Sequence, residues 1–180
     1  MKLKNVLTIL FCLAIAVCCS AICPAQEPEV QTYTHVGQKM PQFSVTDSDG
    51  KSFSIADLKG KVILINFWAT WCGPCQFEMP RMEKEIWEKH KSDDFVMLAI
   101  AREEANAKIV PFREKNGFTF PIAGDPDRAI FKLFGNAIIP RSYVVSRDGT
   151  ILFQSLGYNA NAFDRMKSTI ETELKKTGTK

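Results

Sequence analysis

Cys72 and Cys75 stand three residues apart in the stretch FWATWCGPCQFEMP, residues 67–80, with Gly73 and Pro74 between them and Trp71 in front. Such a pair can be half of a zinc site, a structural staple, or a dithiol that trades electrons. A structural zinc site needs a full set of Cys or His ligands. Outside an N-terminal segment treated below, only His35 and His90 remain, and neither has a second ligand at a suitable spacing. A disulfide closing so short a loop adds little constraint to the unfolded chain, which weakens the staple reading. The spacing therefore points to thiol–disulfide exchange.

The neighbouring residues assign roles within that chemistry. If Cys72 opens a helix, unpaired backbone N–H groups and the positive end of the macrodipole stabilise its thiolate. Cys75 then lies one turn inside, where its thiol keeps its proton longer. Cys72 would attack a disulfide sulfur and form a mixed disulfide, and Cys75 would resolve it. Pro74 suits a first helical turn because no N–H is needed there. Gly73 lets a partner chain come close.

These roles need a strand before the pair and a helix after it. Val62–Phe67 and Phe95–Ile100 are near-continuous apolar runs, as in strands buried on both faces of a parallel sheet. Between them a helix is expected over 73–90, with Cys75, Met79, Met82 and Ile86 on one apolar face. Pro80 should kink it. Strand, helix and strand make a βαβ crossover. A hairpin is expected from Phe43–Val45 and Phe53–Ile55 around Asp47–Gly50. Further on come a helix over 103–116, a strand over 118–123 and a helix over 126–134. A hairpin of Tyr143–Ser146 with Ile151–Gln154 and a closing helix over 161–175 complete the chain.

The first 25 residues read as a segment for export: Lys2 and Lys4, then an apolar run from Val6 to Val17 broken only by Thr8, then small residues. A cleaved signal peptide, a lipid anchor on Cys18, Cys19 or Cys23, and an uncleaved membrane helix are the three forms it could take. Residues 26–35 read as a linker and 36–176 as one domain. Four of the six cysteines fall in the export segment, so Cys72 and Cys75 are the two thiols of the domain. Hydrophobic residues make up 46% of the 180, enough for a core, and the net charge is +3. No basic stripe interleaved with aromatics is present, which argues against nucleic acid as a partner.

Residues 36–175 resemble the thioredoxin superfamily, and within it the TlpA/ResA-like exported thiol–disulfide oxidoreductases. The resemblance rests on Val36-Gly37, Pro41–Phe43, the run Val62–Cys75, Glu78–Pro80, Phe120-Pro121, Asp125–Asp127, Ile139-Pro140 and Tyr143–Val145. It implies an α/β thioredoxin-like fold: a central mixed sheet flanked by helices, with an N-terminal hairpin and a βα insertion. It implies that Ile139-Pro140 is the cis-proline facing the cysteine pair, and that the backbone before it pairs with a partner chain. Asn66 stands where plain thioredoxins carry a buried Asp that manages protons, a task an Asn cannot perform. Glu78 matches a carboxylate of this branch that could accept the proton of Cys75; a solvated helix glutamate is the alternative. Trp71 would belong to the contact surface, with core packing as the competitor, and Trp68 to the core. Arg141 departs from the usual Thr. It either sets a cation near the site, to hold a thiolate or select acidic partners, or is simply solvated.

The implied activity is reduction of disulfides in exported proteins, apocytochromes c being candidates, by a monomer in the periplasm or cell envelope. Electrons would come from a membrane thiol relay, with no metal and no cofactor beyond the Cys72–Cys75 disulfide. A peroxiredoxin-like peroxidase is a rival. However, the expected Thr three residues before the reactive Cys and the proline-rich loop are missing, Thr70 lying two residues before Cys72. A non-catalytic binding module is the other rival, and the presence of Cys72, Cys75, Glu78 and Pro140 together speaks against it.

Overall fold

The structure, a computed structural model, describes residues 29–176 of the chain. The expected export segment lies outside the described residues. The central sheet has the order β5-β4-β3-β6-β7, built from β3 (Val62–Trp68), β4 (Phe95–Arg102), β5 (Ile122–Asp125), β6 (Arg141–Val145) and β7 (Ile151–Leu156). β3, β4 and β5 run parallel, whereas β6 is antiparallel to β3 and β7 to β6. β1 (Ser44–Thr46) and β2 (Ser52–Ser54) form a separate antiparallel hairpin. Its turn is tied by the Asp47 carboxylate, which accepts from Asp49 N at 3.0 Å and Lys51 N at 2.8 Å. This is the expected mixed sheet with its N-terminal hairpin.

All seven residues of β3 are buried, as its unbroken apolar run requires. The pleat sends alternate side chains to opposite faces. Leu64 and Trp68 join one core with Met97, Ala99 and Val144. On that side lie α1 (Gly73–Arg81), through Cys75 and Met79, and α3 (Ala160–Lys175), through Phe163, Met166 and Ile170. Ile63, Ile65 and Phe67 join the other core with Ile100, Tyr143 and Val145, covered by Phe53, Ile55, Phe131 and Phe134. Asn66 has the parity of Leu64 and Trp68 and so faces α1. Arg141 has the parity of Tyr143 and so belongs to the far side.

Several elements differ from the sequence-based expectation, each for a local reason. The helix after the cysteines is not one kinked α-helix. Pro80 has no N–H to offer the carbonyl of Gln76, and the ladder turns π-helical over Met82–Trp87 before a last turn at Glu88–His90. The expected helix over 103–116 begins later, as α2 (Asn106–Asn116), because Glu103 takes a left-handed φ of 64°. The expected strand over 118–123 is displaced to β5, which begins only after Pro121, a residue unable to donate to a ladder. The expected helix over 126–134 is absent. Arg128 has a φ of 58°, and the Asp125 carboxylate gathers Ile130 N (3.2 Å) and Phe131 N (2.8 Å), leaving one 3-10 turn at Phe131–Leu133.

The stretch read as a linker lies against the domain from Glu29 onward. Tyr33 N donates to Phe134 O (2.9 Å), Asn136 N to Gln31 O (3.3 Å) and Gln154 Nε2 to Thr34 O (3.1 Å), and Thr34 is buried. Among the described residues no helix is long and apolar enough to cross a membrane.

Gly124 shows how closely β5 approaches the loop before α2. A Cβ there would stand 2.9 Å from Ala105 C and Asn106 N, and closer still to Glu104 O. Gly124→Ala should therefore destabilise the domain by about 1–3 kcal/mol, the usual cost of overpacking against backbone. Urea unfolding measures it, and an unchanged midpoint would show that this approach carries no constraint.

Candidate active site

Only three residues separate the end of β3 at Trp68 from Cys72, the N-cap of α1. Cys72 is extended (φ −85°, ψ 102°), and its Sγ accepts a hydrogen bond from Cys75 N at 3.2 Å. Cys72 and Cys75 are joined in a disulfide. Both are buried, Cys75 completely. Pro74 occupies the first turn, as expected, and open space lies where Gly73 would carry a Cβ.

Glu78 follows Cys75 by one turn and is buried, so it is not the solvated glutamate that was its alternative. Its Oε2 accepts from Asn66 Nδ2 at 3.0 Å, and the same amide nitrogen donates to Ser142 Oγ at 2.9 Å. Burial pushes the Glu78 carboxyl up from its usual 4.5 to about 7, against the hydrogen bonds of Asn66 and Ser142 and the charge of Arg81, which pull it down. Asn66 thus cannot titrate, yet it tethers the group that can. Asn66 Oδ1 is buried without a partner.

A second buried carboxylate holds the approach to the cysteines. Glu104 accepts from Thr70 N (2.8 Å) and Thr70 Oγ1 (2.6 Å) and pairs with Lys108 Nζ at 2.6 Å. Burial alone would raise this carboxyl, but the hydrogen bonds from Lys108 and Thr70 outweigh it and hold Glu104 below the ordinary range. Its role was not legible, because the contact spans 34 residues and no motif links the two.

The Ile139-Pro140 bond is cis, as the resemblance implied. Phe67 pairs with Arg141, so Pro140 lies level with the end of β3, where the chain turns toward the cysteines. Ile139 packs against the core cluster that contains Cys72 and Cys75. Among the described residues no backbone hydrogen bond involves Ile138 or Ile139. Apolar side chains stand exposed around the motif: Trp71 at 55%, Phe77 at 71% and Ile138 at 41%. Trp71 is therefore surface rather than core, with the Arg102 guanidinium 5.6 Å from its ring centroid, and Trp68 is core. Phe77 escaped the sequence reading, although it sits off the Cys75–Met79–Met82–Ile86 stripe and so had to face outward.

Both expectations for Arg141 are overturned. It is neither solvated nor a cation presented beside the cysteines: parity sends it to the opposite core, where it is wholly buried. Among the described residues no cluster of three or more His, Cys, Asp or Glu side chains could hold a metal ion.

A family model described as Redoxin matches residues 35–174. The chain is similar to the thiol-disulfide oxidoreductase ResA of Bacillus thuringiensis (strain Al Hakam), with 35% identity over 141 residues covering 78% of each protein. Among solved structures it is similar to a Bacteroides thetaiotaomicron protein described as a candidate protein disulfide isomerase. That match has 35% identity and a TM-score of 0.79, covering 82% of this chain and 95% of the other. It is also similar to a candidate thioredoxin from Neisseria meningitidis, at 31% identity and a TM-score of 0.68, covering 81% and 95%.

The raised carboxyl of Glu78 makes stability depend on pH in a definite direction. Below 4.5 the group is protonated in both folded and unfolded chains and costs nothing; between 4.5 and about 7 the unfolded chain ionises first, so stability falls as pH rises. Glu78→Gln should abolish that fall, on the order of 3 kcal/mol, in urea titrations of the oxidised protein across this window. Parallel curves for the two proteins would remove Glu78 as its source.

Proposed function

The chain belongs to the redoxin family, as a TlpA/ResA-like thiol–disulfide oxidoreductase of the thioredoxin superfamily, and from that premise we propose that it reduces disulfides of exported proteins. The observation that carries the reading is the Cys72–Cys75 pair at the start of α1, one sulfur on the helix N-cap and the other wholly buried one helical turn before a buried acid. Cys72 is the nucleophile. Its thiolate attacks one sulfur of a substrate disulfide, forming a mixed disulfide, and the other substrate sulfur leaves as a thiolate. Glu78 takes the proton of Cys75. The Cys75 thiolate attacks Cys72 Sγ, the Cys72–Cys75 disulfide forms, and the second substrate sulfur departs with the remaining electron pair. The substrate has then gained two electrons, and its two thiolates take up one proton from Glu78 and one from water. A thiol pair in the membrane restores the dithiol, and the N-terminal segment supplies export.

Trp71, Gly73, Pro74 and the Ile139-Pro140 backbone form the substrate surface, and the unpaired backbone of Ile138-Ile139 suits an extended polypeptide laid alongside it. Apocytochromes c are one candidate class. Disulfide isomerisation is a second reading, favoured by the description of the Bacteroides relative.

Two measurements test this. Cys75→Ser should accumulate a mixed disulfide with a disulfide-bearing peptide, and Cys72→Ser should form none; trapping through Cys75 instead would reverse the roles. The equilibrium reduction potential of the pair, titrated against dithiothreitol, should lie near or below about −270 mV for a reductase, whereas a value near about −120 mV would make the protein a disulfide donor.

A further inference from the structure

Among the described residues Arg141 is the one lysine or arginine that is buried outright. No Asp or Glu pairs with it there. An interior charge without a counter-charge is costly and persists only where other groups satisfy it. Its partners converge on one loop. Nη1 donates to Phe134 O at 3.0 Å and Nη2 to Ala137 O at 2.8 Å; Nη1 also reaches Thr32 Oγ1 and Tyr143 OH, each at 3.3 Å. The planar fork suits this task, since it presents several donors at fixed angles. Gly135 makes room for it: a Cβ there would stand 2.7 Å from Gln31 O and closer still to Arg141 Nη1.

The loop so held is the one that ends in the cis-proline. Arg141 grips its carbonyls up to Ala137, Arg128 Nη2 donates to Asn136 O, and Gly157 N donates to Pro140 O at 2.8 Å. Between these holds lie Ile138 and Ile139, whose backbone groups are unpaired among the described residues. Ile138 has a φ of 63°, a left-handed conformation that β-branched residues rarely adopt. Such a conformation persists only when its surroundings over-determine it.

We propose that Arg141 is a positioning residue for the disulfide-bearing substrate: from the far side of the sheet its guanidinium fixes the Phe134–Pro140 loop, so that the free backbone of Ile138-Ile139 is presented beside Cys72 for an extended chain to pair with. This rests on the reading above that the substrate is a polypeptide. Arg141 touches neither substrate nor sulfur; it acts by pre-organising the edge. A substrate too small to use that edge is indifferent to it.

The test compares two oxidants of the pre-reduced protein in single turnover. One is a short unstructured peptide closed by one disulfide; the other is bis(hydroxyethyl) disulfide, which has no backbone to pair. Arg141→Lys keeps the charge and loses the fork. It should lower the second-order rate constant for the peptide roughly ten- to a hundred-fold, the cost of a loosened reacting geometry. The constant for the small disulfide and the reduction potential should stay unchanged. Equal losses with both oxidants, or no loss with the peptide, overturn the proposal. Where circular dichroism shows that Arg141→Lys does not fold, Gly135→Ala, which displaces the guanidinium without removing it, must give the same split, and its absence overturns the proposal equally. A wild-type protein that shows no preference for the peptide overturns the polypeptide reading and this one together. A wild-type preference that survives in the variants overturns the role of Arg141 alone.

Discussion

β3 lies in the middle of the sheet with every residue from Val62 to Trp68 shut off from water. A strand buried on both faces cannot slip by one residue without exchanging the contents of two cores, so its register is strongly held. That constraint decides where the chemistry sits. The strand runs directly into the turn that carries Cys72, and its pleat decides which side chains face α1. Asn66 is the polar residue on that face. Being buried it must hydrogen-bond, and it does so to Glu78 and Ser142. The acid one turn beyond Cys75 is thereby held in place by the strand that leads to the cysteines.

Two buried carboxylates flank the pair and behave oppositely. Glu78 has an amide as its near partner, and desolvation wins, so its carboxyl is raised toward neutrality. Glu104 is less deeply enclosed, and a lysine and the Thr70 backbone and hydroxyl hold its carboxyl below the ordinary range. The first can exchange a proton near neutral pH; the second is a fixed anion that anchors the segment before Trp71. The opposite shifts come from depth of burial and partner set together: desolvation dominates at Glu78, whereas at Glu104 hydrogen bonds and a cation together outweigh it.

The cis-proline loop is supported from outside the motif altogether. Its carbonyls are held by a buried arginine of β6, by Arg128 and by Tyr33 N, which donates to Phe134 O, while Asn136 N donates to Gln31 O. The segment that leads into the domain is thus packed against the loop that ends in the cis-proline. The cysteine side of the site is built by local sequence, β3 running into α1, whereas the opposing side is assembled from residues about a hundred positions apart in the chain.

The sequence by itself determined the central strands, the helix after the cysteines, the final hairpin and the closing helix, because each announces itself through the period of its apolar residues. It also determined the disulfide pair, since residue type and short spacing carry that chemistry, whereas the cis bond at Ile139-Pro140 was implied by the family resemblance alone. Elements governed by single side chains were less legible. Asp125 replaces a helix by turns through two backbone hydrogen bonds, and Pro121 delays β5, where hydrophobic pattern alone suggested otherwise. Trp71 as surface was read from the sequence and stands exposed; Phe77 as surface could have been drawn from helical phase, and Arg141 as interior from strand parity once the register was known. The partners of Glu78, Glu104 and Arg141 were decided only by the tertiary structure. A buried charge takes its meaning from the groups that replace water around it, and those groups come from strands and loops that pattern and spacing along the chain do not connect.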